Sequence, residues 1–184
     1  MNKLTAALCL TILLLGCQDK PQDQTTQTAS TPNPQYDEKY CDGDKPKDDI
    51  KTGAYNGDPI SQVKMGSIYD FGKCGTQDLL VAEQWYQKAV DQDFAPAQLA
   101  LGSFYASDEF YKENGKYDID KALLWLEKAS ASSGSESAVA MMYLGAIYSD
   151  EQYGTKDLEK AKSWLTKSAD KGNAEAKEML ADLQ

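Results

Sequence analysis

The 184-residue chain contains no histidine and no arginine, so all 19 of its basic residues are lysines. Without an imidazole the chain cannot build a Ser-His-Asp or Cys-His catalytic apparatus, or a histidine-ligated metal site. Without a guanidinium it lacks the planar, bidentate clamp that many proteins use for phosphate groups. These absences exclude several common enzyme classes, and we expect neither a cofactor nor a metal ion.

Positive charge is also scarce relative to negative charge. Asp and Glu number 29, which gives a formal net charge of -10 at pH 7. Such a chain is repelled by nucleic acid and by anionic lipid surfaces. The charge therefore predicts no nucleic-acid partner, and it favours another protein with a basic surface.

Long apolar runs are rare, and the clearest one follows Lys3, from Leu4 to Leu15. It is shorter than the roughly 20 residues that a transmembrane helix needs, which is typical of a secretory signal peptide at residues 1–16. The stretch that ends Leu-Leu-Gly-Cys17 resembles a bacterial lipobox, in which the cysteine receives the lipid anchor. The alternative is an ordinary signal peptide in which this cysteine is incidental.

The residue after the lipobox cysteine is Gln18 rather than Asp. By the resemblance to bacterial lipoproteins, this favours the outer membrane, facing the periplasm, over the inner membrane. The following segment is polar and contains prolines, so it cannot bury enough apolar surface to order itself. We predict that residues 17–35 form a lipidated, disordered tether.

Three segments further along the chain align without a gap. Each begins with Asp and has Ala at its fifth place, Trp at its eighth and Lys at its eleventh. In each case a Gly-x-x-Tyr element precedes the segment. A two-part repeat of about 40 residues indicates stacked helical hairpins. The segments are Asp78–Val90, Asp118–Ser130 and Asp157–Ala169, and the preceding glycines are Gly66, Gly102 and Gly145.

The repeated positions carry structural expectations. The initial aspartates are predicted N-caps, which accept hydrogen bonds from free backbone N–H groups. A glycine inside a helix costs about 1 kcal/mol relative to alanine, so its recurrence predicts close helix–helix approach. The tryptophans are predicted to be three equivalent core residues, of which the middle one is the most important: Trp85, Trp125 and Trp164.

The pattern Leu-Gly-x-x-Tyr, then Asp, then Lys-Ala-x-x-Trp-x-x-Lys-Ala resembles the Sel-one-like repeat (SLR), a relative of the tetratricopeptide repeat. The resemblance implies an all-α fold, a right-handed superhelical solenoid of antiparallel helix pairs. We also expect a short capping half-hairpin over residues 46–56, with Pro46 in its first turn, and a capping helix at the C-terminal end. The predicted boundaries are 36–57 for the N-terminal cap, 58–93, 94–135 and 136–172 for the repeats, and 173–184 for the C-terminal cap.

Four cysteines are present, and after the predicted processing only two of them keep a free thiol. Cys9 leaves with the signal peptide and Cys17 carries the lipid. In an oxidising periplasm the remaining pair, Cys41 and Cys74, favours one disulfide. Two free thiols are the alternative, and a catalytic thiol is disfavoured because no imidazole can activate it.

Acidic residues followed by aromatic ones recur in the predicted loops between the paired helices. Because these segments fall at the same place in successive repeats, we predict that they line one edge and bind a protein partner. The alternative is that the aromatics cover hydrophobic helix ends. Asp70 and Phe71 provide a first-repeat counterpart. The predicted partner-binding residues are Asp108, Glu109, Phe110, Tyr111, Tyr117, Asp150, Glu151 and Tyr153.

Three functions are compatible with these features. The leading hypothesis is a non-enzymatic, protein-binding scaffold anchored in the bacterial envelope. The second follows from the family resemblance, because some SLR lipoproteins are immunity proteins against type VI secretion phospholipase effectors. The third is a hydrolase that uses paired carboxylates. A calcium loop over residues 42–53 is disfavoured, because Lys47 and Gly53 stand where a glycine and a glutamate are required.

Overall fold

The computed structural model describes residues 37–183, all of which belong to one compact unit, Asn33–Gln184. The predicted signal peptide, Cys17 and the tether that follows it therefore lie outside the described residues. Within residues 37–183, no helix combines the length and apolar character needed to cross a membrane.

The described chain is built mainly from helices. Three pairs of consecutive long helices pack side by side, namely α2 with α3, α4 with α6 and α7 with α8. This arrangement confirms the all-α solenoid of paired helices. The helices are α1 (Asp48–Tyr55), α2 (Pro59–Asp70), α3 (Leu79–Val90), α4 (Ala95–Tyr105), α5 (Asp108–Asn114), α6 (Ile119–Ser130), α7 (Glu136–Ser149), α8 (Leu158–Asp170) and α9 (Ala174–Asp182), with a 3-10 turn at Glu151–Tyr153.

The three repeated aspartates cap the second helix of each pair. The carboxylates of Asp78, Asp118 and Asp157 accept hydrogen bonds from backbone N–H groups three residues on, at 3.0, 3.3 and 3.0 Å. Each bond satisfies a donor that the first helical turn leaves free. The predicted N-caps are therefore confirmed, and they fix where α3, α6 and α8 begin.

The helix-interior glycines allow the paired helices to touch. A Cβ added at Gly102 would lie 2.7 Å from Leu126, and one at Gly145 would lie 2.5 Å from Leu165. At Gly66 it would lie 2.5 Å from the ring of Tyr86. The predicted close approach is thus confirmed. The side chain that fills the space beside each glycine belongs to the residue directly after the tryptophan of the same repeat.

The prediction of three equivalent core tryptophans is wrong. Trp85 is only 6% exposed, because α1 covers it and the ring of Tyr55 packs edge-on at 5.2 Å. Trp125 and Trp164 are only partly buried, with the ammonium groups of their following lysines each 4.3 Å above the ring. Both still pack against the main core, so their role in the described chain is structural.

The N-terminal cap contains a small hairpin as well as a helix. Strand β1 (Cys41–Asp42) pairs antiparallel with β2 (Lys45–Pro46) across a turn at Gly43, where φ is +62°. The predicted place of Pro46 in the first helical turn is wrong, because the turn lays this residue beside Cys41. Its fixed φ and missing N–H suit the end of a short strand, and α1 begins two residues later.

A disulfide joins the two cysteines that the sequence pairs. Cys41 and Cys74 are buried, with their Cα atoms 5.6 Å apart, and the bond connects β1 to the loop between α2 and α3. The bridge closes 33 residues and so ties the cap to the first repeat. The bridge lies in a separate apolar cluster, made of Cys41, Ile50, Ala54, Met65, Ile68, Cys74 and Trp85.

The second repeat contains an extra helix where a loop was expected. Ser107 caps α5 by accepting a hydrogen bond from the Phe110 N–H at 3.2 Å, and Gly115 ends the helix with φ of +71°. The signals were present in the sequence, because Ser, two acids in the first turn and a terminal Gly favour a short helix. This helix positions the acids and aromatics of the predicted binding edge.

Candidate protein-binding surface

A groove of about 390 Å³ lies between α2, α4, α7 and the beginning of α5. Its wall carries the carboxylates of Asp70, Asp108 and Glu109. The lining, which is drawn from residues 37–183, contains no lysine. Aromatic side chains supply much of the remaining surface: Phe71, Phe104, Tyr143 and Tyr153. The groove is therefore acidic and partly apolar.

Asp70 is the most buried charge of this groove, at 5% exposure. Its Oδ2 accepts a hydrogen bond from the hydroxyl of Tyr86 at 3.1 Å. Burial raises the pKa of the Asp70 carboxyl to about 6, and the negative charge of Glu109 raises it as well. The hydrogen bond from Tyr86 and the charge of Lys73 lower the pKa in part. Asp70 is therefore ionised at neutral pH and protonated in mild acid.

Beside the groove, three tyrosines form a row along the predicted edge. The ring of Tyr117 lies 4.7 Å from that of Tyr111 and 4.8 Å from that of Tyr153. The hydroxyl of Tyr117 donates to Oδ1 of Asp108 at 2.9 Å. Desolvation, followed by the hydrogen bond to Asp108 and its charge, raises the pKa of Tyr117 to about 12. The row thus presents neutral aromatic surface with one hydroxyl held by an acid.

Two of the predicted aromatics also serve the fold. The ring of Phe110 packs edge-on against Phe104 and Tyr105, with centroids 5.3 and 5.4 Å away. Tyr153 packs against the same core and donates to the Ala106 carbonyl at 3.4 Å. The alternative interpretation, in which aromatics cover helix ends, describes both residues. Tyr111 is 45% exposed and offers freer apolar surface.

The predicted acids fall into two groups. Asp108 and Glu109 line the groove, whereas Asp150 and Glu151 lie outside its lining. Asp150 accepts from the Gln152 N–H at 2.9 Å and so caps the 3-10 turn. Glu151 pairs with Lys156 at 2.7 Å, and this hydrogen bond lowers the pKa of Glu151. A general acid needs a raised pKa, so Glu151 is poorly suited to the hydrolase hypothesis.

The sequence interpretation missed the contribution of α7. Tyr143, Ala146 and Ile147 line the groove from one face of this helix. Their spacing of three and four residues is the signal that places them together. This spacing is inconspicuous in the sequence, because the segments between the paired helices, rather than the first helix of each pair, carry the obvious clusters of acids and aromatics.

No group of three or more His, Cys, Asp or Glu side chains within residues 37–183 is arranged to hold a metal ion. In the segment that begins like a calcium loop, Asp42 belongs to β1 and Gly43 to the hairpin turn.

Comparison with known families matches three Sel1 repeats, at residues 59–94, 95–133 and 138–173. This chain belongs to the Sel1 repeat family. The three matches begin one or two residues after the boundaries predicted from the sequence. Sel1 repeat proteins serve as protein-interaction scaffolds, and the family is generally non-enzymatic.

Two curated relatives come from Schizosaccharomyces pombe. Chitin synthase regulatory factor 3 is 28% identical over 140 residues, which cover 72% of this chain and 14% of that protein. Chitin synthase regulatory factor 4 is 28% identical over 133 residues, which cover 71% of this chain and 19% of that protein. The chain therefore spans less than a fifth of either relative.

Two solved structures share the fold. One is a protective antigen present in uropathogenic Escherichia coli strains and displaying an SLR fold, with 28% identity and a TM-score of 0.61. The similarity covers 73% of this chain and 27% of that one. The other is a Sel1 repeat protein from Oxalobacter formigenes, with 30% identity and a TM-score of 0.53 over 73% of this chain and 96% of that one.

Proposed function

We propose that this chain is a non-enzymatic scaffold of the bacterial cell envelope, anchored through a lipid on Cys17, that binds a basic protein. The observation that carries the binding role is an acidic groove whose lining, within residues 37–183, contains no lysine. The sequence supports the anchor, because a short apolar run ends in Leu-Leu-Gly-Cys17. An outer-membrane position, facing the periplasm, is part of the proposal.

The surface combines the two properties that a protein interface needs. Phe71 is 63% exposed beside the groove, and Tyr111 is 45% exposed on the neighbouring edge. Exposed aromatics of this kind contribute much of the affinity at interfaces, mainly by slowing dissociation. The acids Asp108, Glu109 and Asp150 attract a basic partner and accelerate its association.

The relatives agree with a binding role. The chitin synthase regulatory factors are named as regulators of another protein. A regulator that contains these repeats fits the idea that the repeats make protein contacts. The chain contains too little of either relative for chitin synthase itself to be its partner by inference.

Crosslinking in bacterial cells tests the binding role. The full-length chain is crosslinked in the envelope and purified beside two variants, Asp108→Asn/Glu109→Gln and Glu178→Gln. Glu178 is exposed on α9, outside the groove lining, and controls for loss of an acid. We expect a basic protein to be captured by the wild type and by Glu178→Gln, and to be largely lost from the groove variant.

Capture of no specific protein by the wild type would contradict the proposal. Equal capture by the groove variant would place the interface elsewhere, with the exposed outer faces of the helices as the next surface to test. A captured phospholipase effector of the type VI secretion system would make the role immunity rather than scaffolding.

Labelling with a radioactive fatty acid tests the anchor. We expect the wild type to be labelled and Cys17→Ala to remain unlabelled, because the Cys17 thiol is the predicted acceptor. Equal labelling of both chains would contradict the lipobox interpretation. This result would leave the binding role untouched.

A further inference from the structure

We propose that Asp70 is the anchor point for one cationic side chain, lysine or arginine, of the bound protein, inserted into the groove. The inference rests on the proposed function and names the chemistry of its contact. The cation would lie against Oδ1 of Asp70, within reach of Glu109. Its hydrocarbon stem would lie along the apolar wall of α4 and α7, at Phe104 and Ile147.

One oxygen of Asp70 is available for this contact. Oδ2 accepts the hydroxyl of Tyr86, whereas Oδ1 accepts no hydrogen bond from any residue in the range 37–183. The side chain is 95% buried by its surroundings and lines the groove. No buried side-chain oxygen or nitrogen among residues 37–183 lacks a hydrogen-bond partner, so Oδ1 reaches the solvent of the groove. A ligand N–H can take the place of water at this oxygen.

The described part of the chain provides no cation in direct contact with Asp70. Lys73 is the lysine whose charge reaches it, but the Lys73 ammonium donates to Ser67 at 2.9 Å and lies 4.0 Å above the ring of Tyr40. No salt bridge to Asp70 forms among residues 37–183. Glu109 adds a second negative charge, and its nearest cation is the exposed ammonium group of Lys112 at 3.9 Å. A positive charge from outside would therefore complement Asp70 itself.

The repeat architecture does not require an acid at this place. Counting from the Gly-x-x-Tyr element, the residues equivalent to Asp70 are Ala106 in the second repeat and Ser149 in the third. Both of these repeats form the same helix pair without a carboxylate. Those two repeats have Leu126 and Leu165 in place of Tyr86, so only the first repeat has a buried hydroxyl there that needs an acceptor. Asp70 serves that hydroxyl through Oδ2, which leaves Oδ1 for a ligand.

Binding at Asp70 should depend on pH, because a protonated carboxyl no longer attracts a cation. The groups that shift its pKa are Tyr86 from α3, Glu109 from α5 and Lys73 from the loop after α2. The other titratable groups of the groove lining are Asp108 from α5, Tyr143 from α7 and Tyr153 from the 3-10 turn. Burial raises the pKa of Asp70 to about 6. The chain has no histidine, so no imidazole titrates in the same interval. Affinity for a cation is expected to fall between pH 7.5 and pH 5.

The test uses short blocked peptides and nuclear magnetic resonance of the full-length chain. The probes are acetyl-Gly-Arg-Gly-amide, its lysine counterpart, and the same peptide with citrulline, which keeps the shape of arginine without its charge. We expect both cationic peptides to shift the backbone amide signals of Asp70 and Glu109, with citrulline giving no comparable shift. Which of the two cations binds more tightly identifies the preferred side chain.

Asp70→Asn is the decisive variant, with Glu178→Gln as the charge-matched control. Asparagine can still accept the Tyr86 hydroxyl, and a thermal melt checks that the variant is folded. We expect Asp70→Asn to weaken binding of the cationic peptides about tenfold at pH 7.5 and to remove most of the pH dependence. Glu178→Gln should bind as the wild type does.

The idea is overturned if citrulline binds as well as arginine, if Asp70→Asn binds as tightly as the wild type, or if neither cationic peptide binds. These outcomes are separable from those of the proposed function. A chain that still captures its partner in cells with Asp70→Asn would keep the scaffold role and lose the Asp70 contact. A chain that binds the peptides but captures no protein would lose the scaffold role alone.

Discussion

The first and third repeats follow the same sequence frame, yet they are stabilised in different ways. In the first repeat Trp85 is enclosed by α1 and lies beside a buried disulfide. In the third, Trp164 is only partly buried, although a lysine three residues later lies over the tryptophan ring in both repeats. The comparison shows that a repeated residue takes its role from its neighbours, since only the first repeat has the N-terminal cap against it.

The two repeats also differ in the residue that follows their Gly-x-x-Tyr element. The first repeat carries a nearly buried acid, Asp70, where the third has Ser149. A buried carboxylate lowers stability unless it is paired, so the first repeat combines an extra covalent brace with an unfavourable charge. The third repeat has no disulfide within its described residues, and its core is apolar around Leu165, which is fully buried.

Replacing the tryptophans should give the largest difference between the repeats. Trp85→Ala should lower the free energy of unfolding by about 3–5 kcal/mol, because it empties a closed site. Trp164→Ala should cost about 1–2 kcal/mol, since this ring is partly solvated already. Denaturant unfolding measures both losses of stability, from the midpoints of unfolding curves that have equal slopes.

The matched position after each tryptophan serves as a control. Leu165→Ala should cost more than Trp164→Ala, because Leu165 is fully buried against Gly145. Equal losses for the two tryptophan variants would show that the cap adds little to the burial of Trp85.

Removing the disulfide should weaken the first repeat selectively. Cys41→Ala/Cys74→Ala is expected to lower stability by about 3–4 kcal/mol, because the unfolded chain regains the freedom of a long loop. Amide hydrogen exchange should accelerate in α1 and change little in α8. Uniform acceleration along the whole chain would mean that the cap and the repeats unfold together.

Asp70→Asn should raise the free energy of unfolding at neutral pH, whereas removal of the disulfide should lower it. Burial raises the pKa of Asp70 from 3.8 to about 6, so the folded protein holds this proton more tightly than the unfolded chain does. Stability contributed by the proton is present in acid and is lost as the pH rises from about 4 to 6. Above that interval, the variant should therefore be more stable than the wild type by on the order of 1–3 kcal/mol.

Urea unfolding at pH 4.5 and at pH 7.5 checks this sign. The advantage of Asp70→Asn should shrink at the lower pH, where the wild-type carboxyl is protonated. A variant that is less stable than the wild type at pH 7.5 would mean that the ionised carboxylate is stabilised by its surroundings.

The lysines over the tryptophans should give the smallest effects. Lys88 lies 4.0 Å above Trp85 and Lys167 lies 4.3 Å above Trp164. Replacing either with Gln keeps the stem and removes the cation, which should cost about 0.5–1 kcal/mol. Thermal unfolding at low and high salt measures both. No loss in either variant would show that the two ammonium groups are simply solvated.

Much of the helical architecture could be predicted because it depends on short-range rules. Aspartate N-caps act on donors three residues away, as at Asp157, and apolar spacing places Ala161 and Leu165 on one face of α8. The extra helix α5 was missed, although Ser107 and Gly115 are its local signals. The different burial of Trp85 and Trp125 could not be predicted, because it depends on whether another element covers the ring.

The candidate site was only partly visible in the sequence. Asp108 and Glu109 line the groove, and Tyr111 remains exposed beside it. Phe110 proved to cover the core, and Glu151 is engaged by Lys156. Side chains from separate repeats meet in this groove, and the distances between them depend on how the helices stack.

The sequence by itself determined the repeat frame, the starts of α3, α6 and α8, and the close approach at the glycines, since each follows from a residue type at a fixed spacing. It also favoured the pairing of Cys41 with Cys74, because the predicted processing leaves no other cysteine for either of them. The tertiary structure decided which side chains are buried and which face the groove. It placed Asp70 beside Glu109 and out of water, although 38 residues separate them. Burial and charge proximity are properties of packed neighbours, and that is why they arise only when the repeats stack.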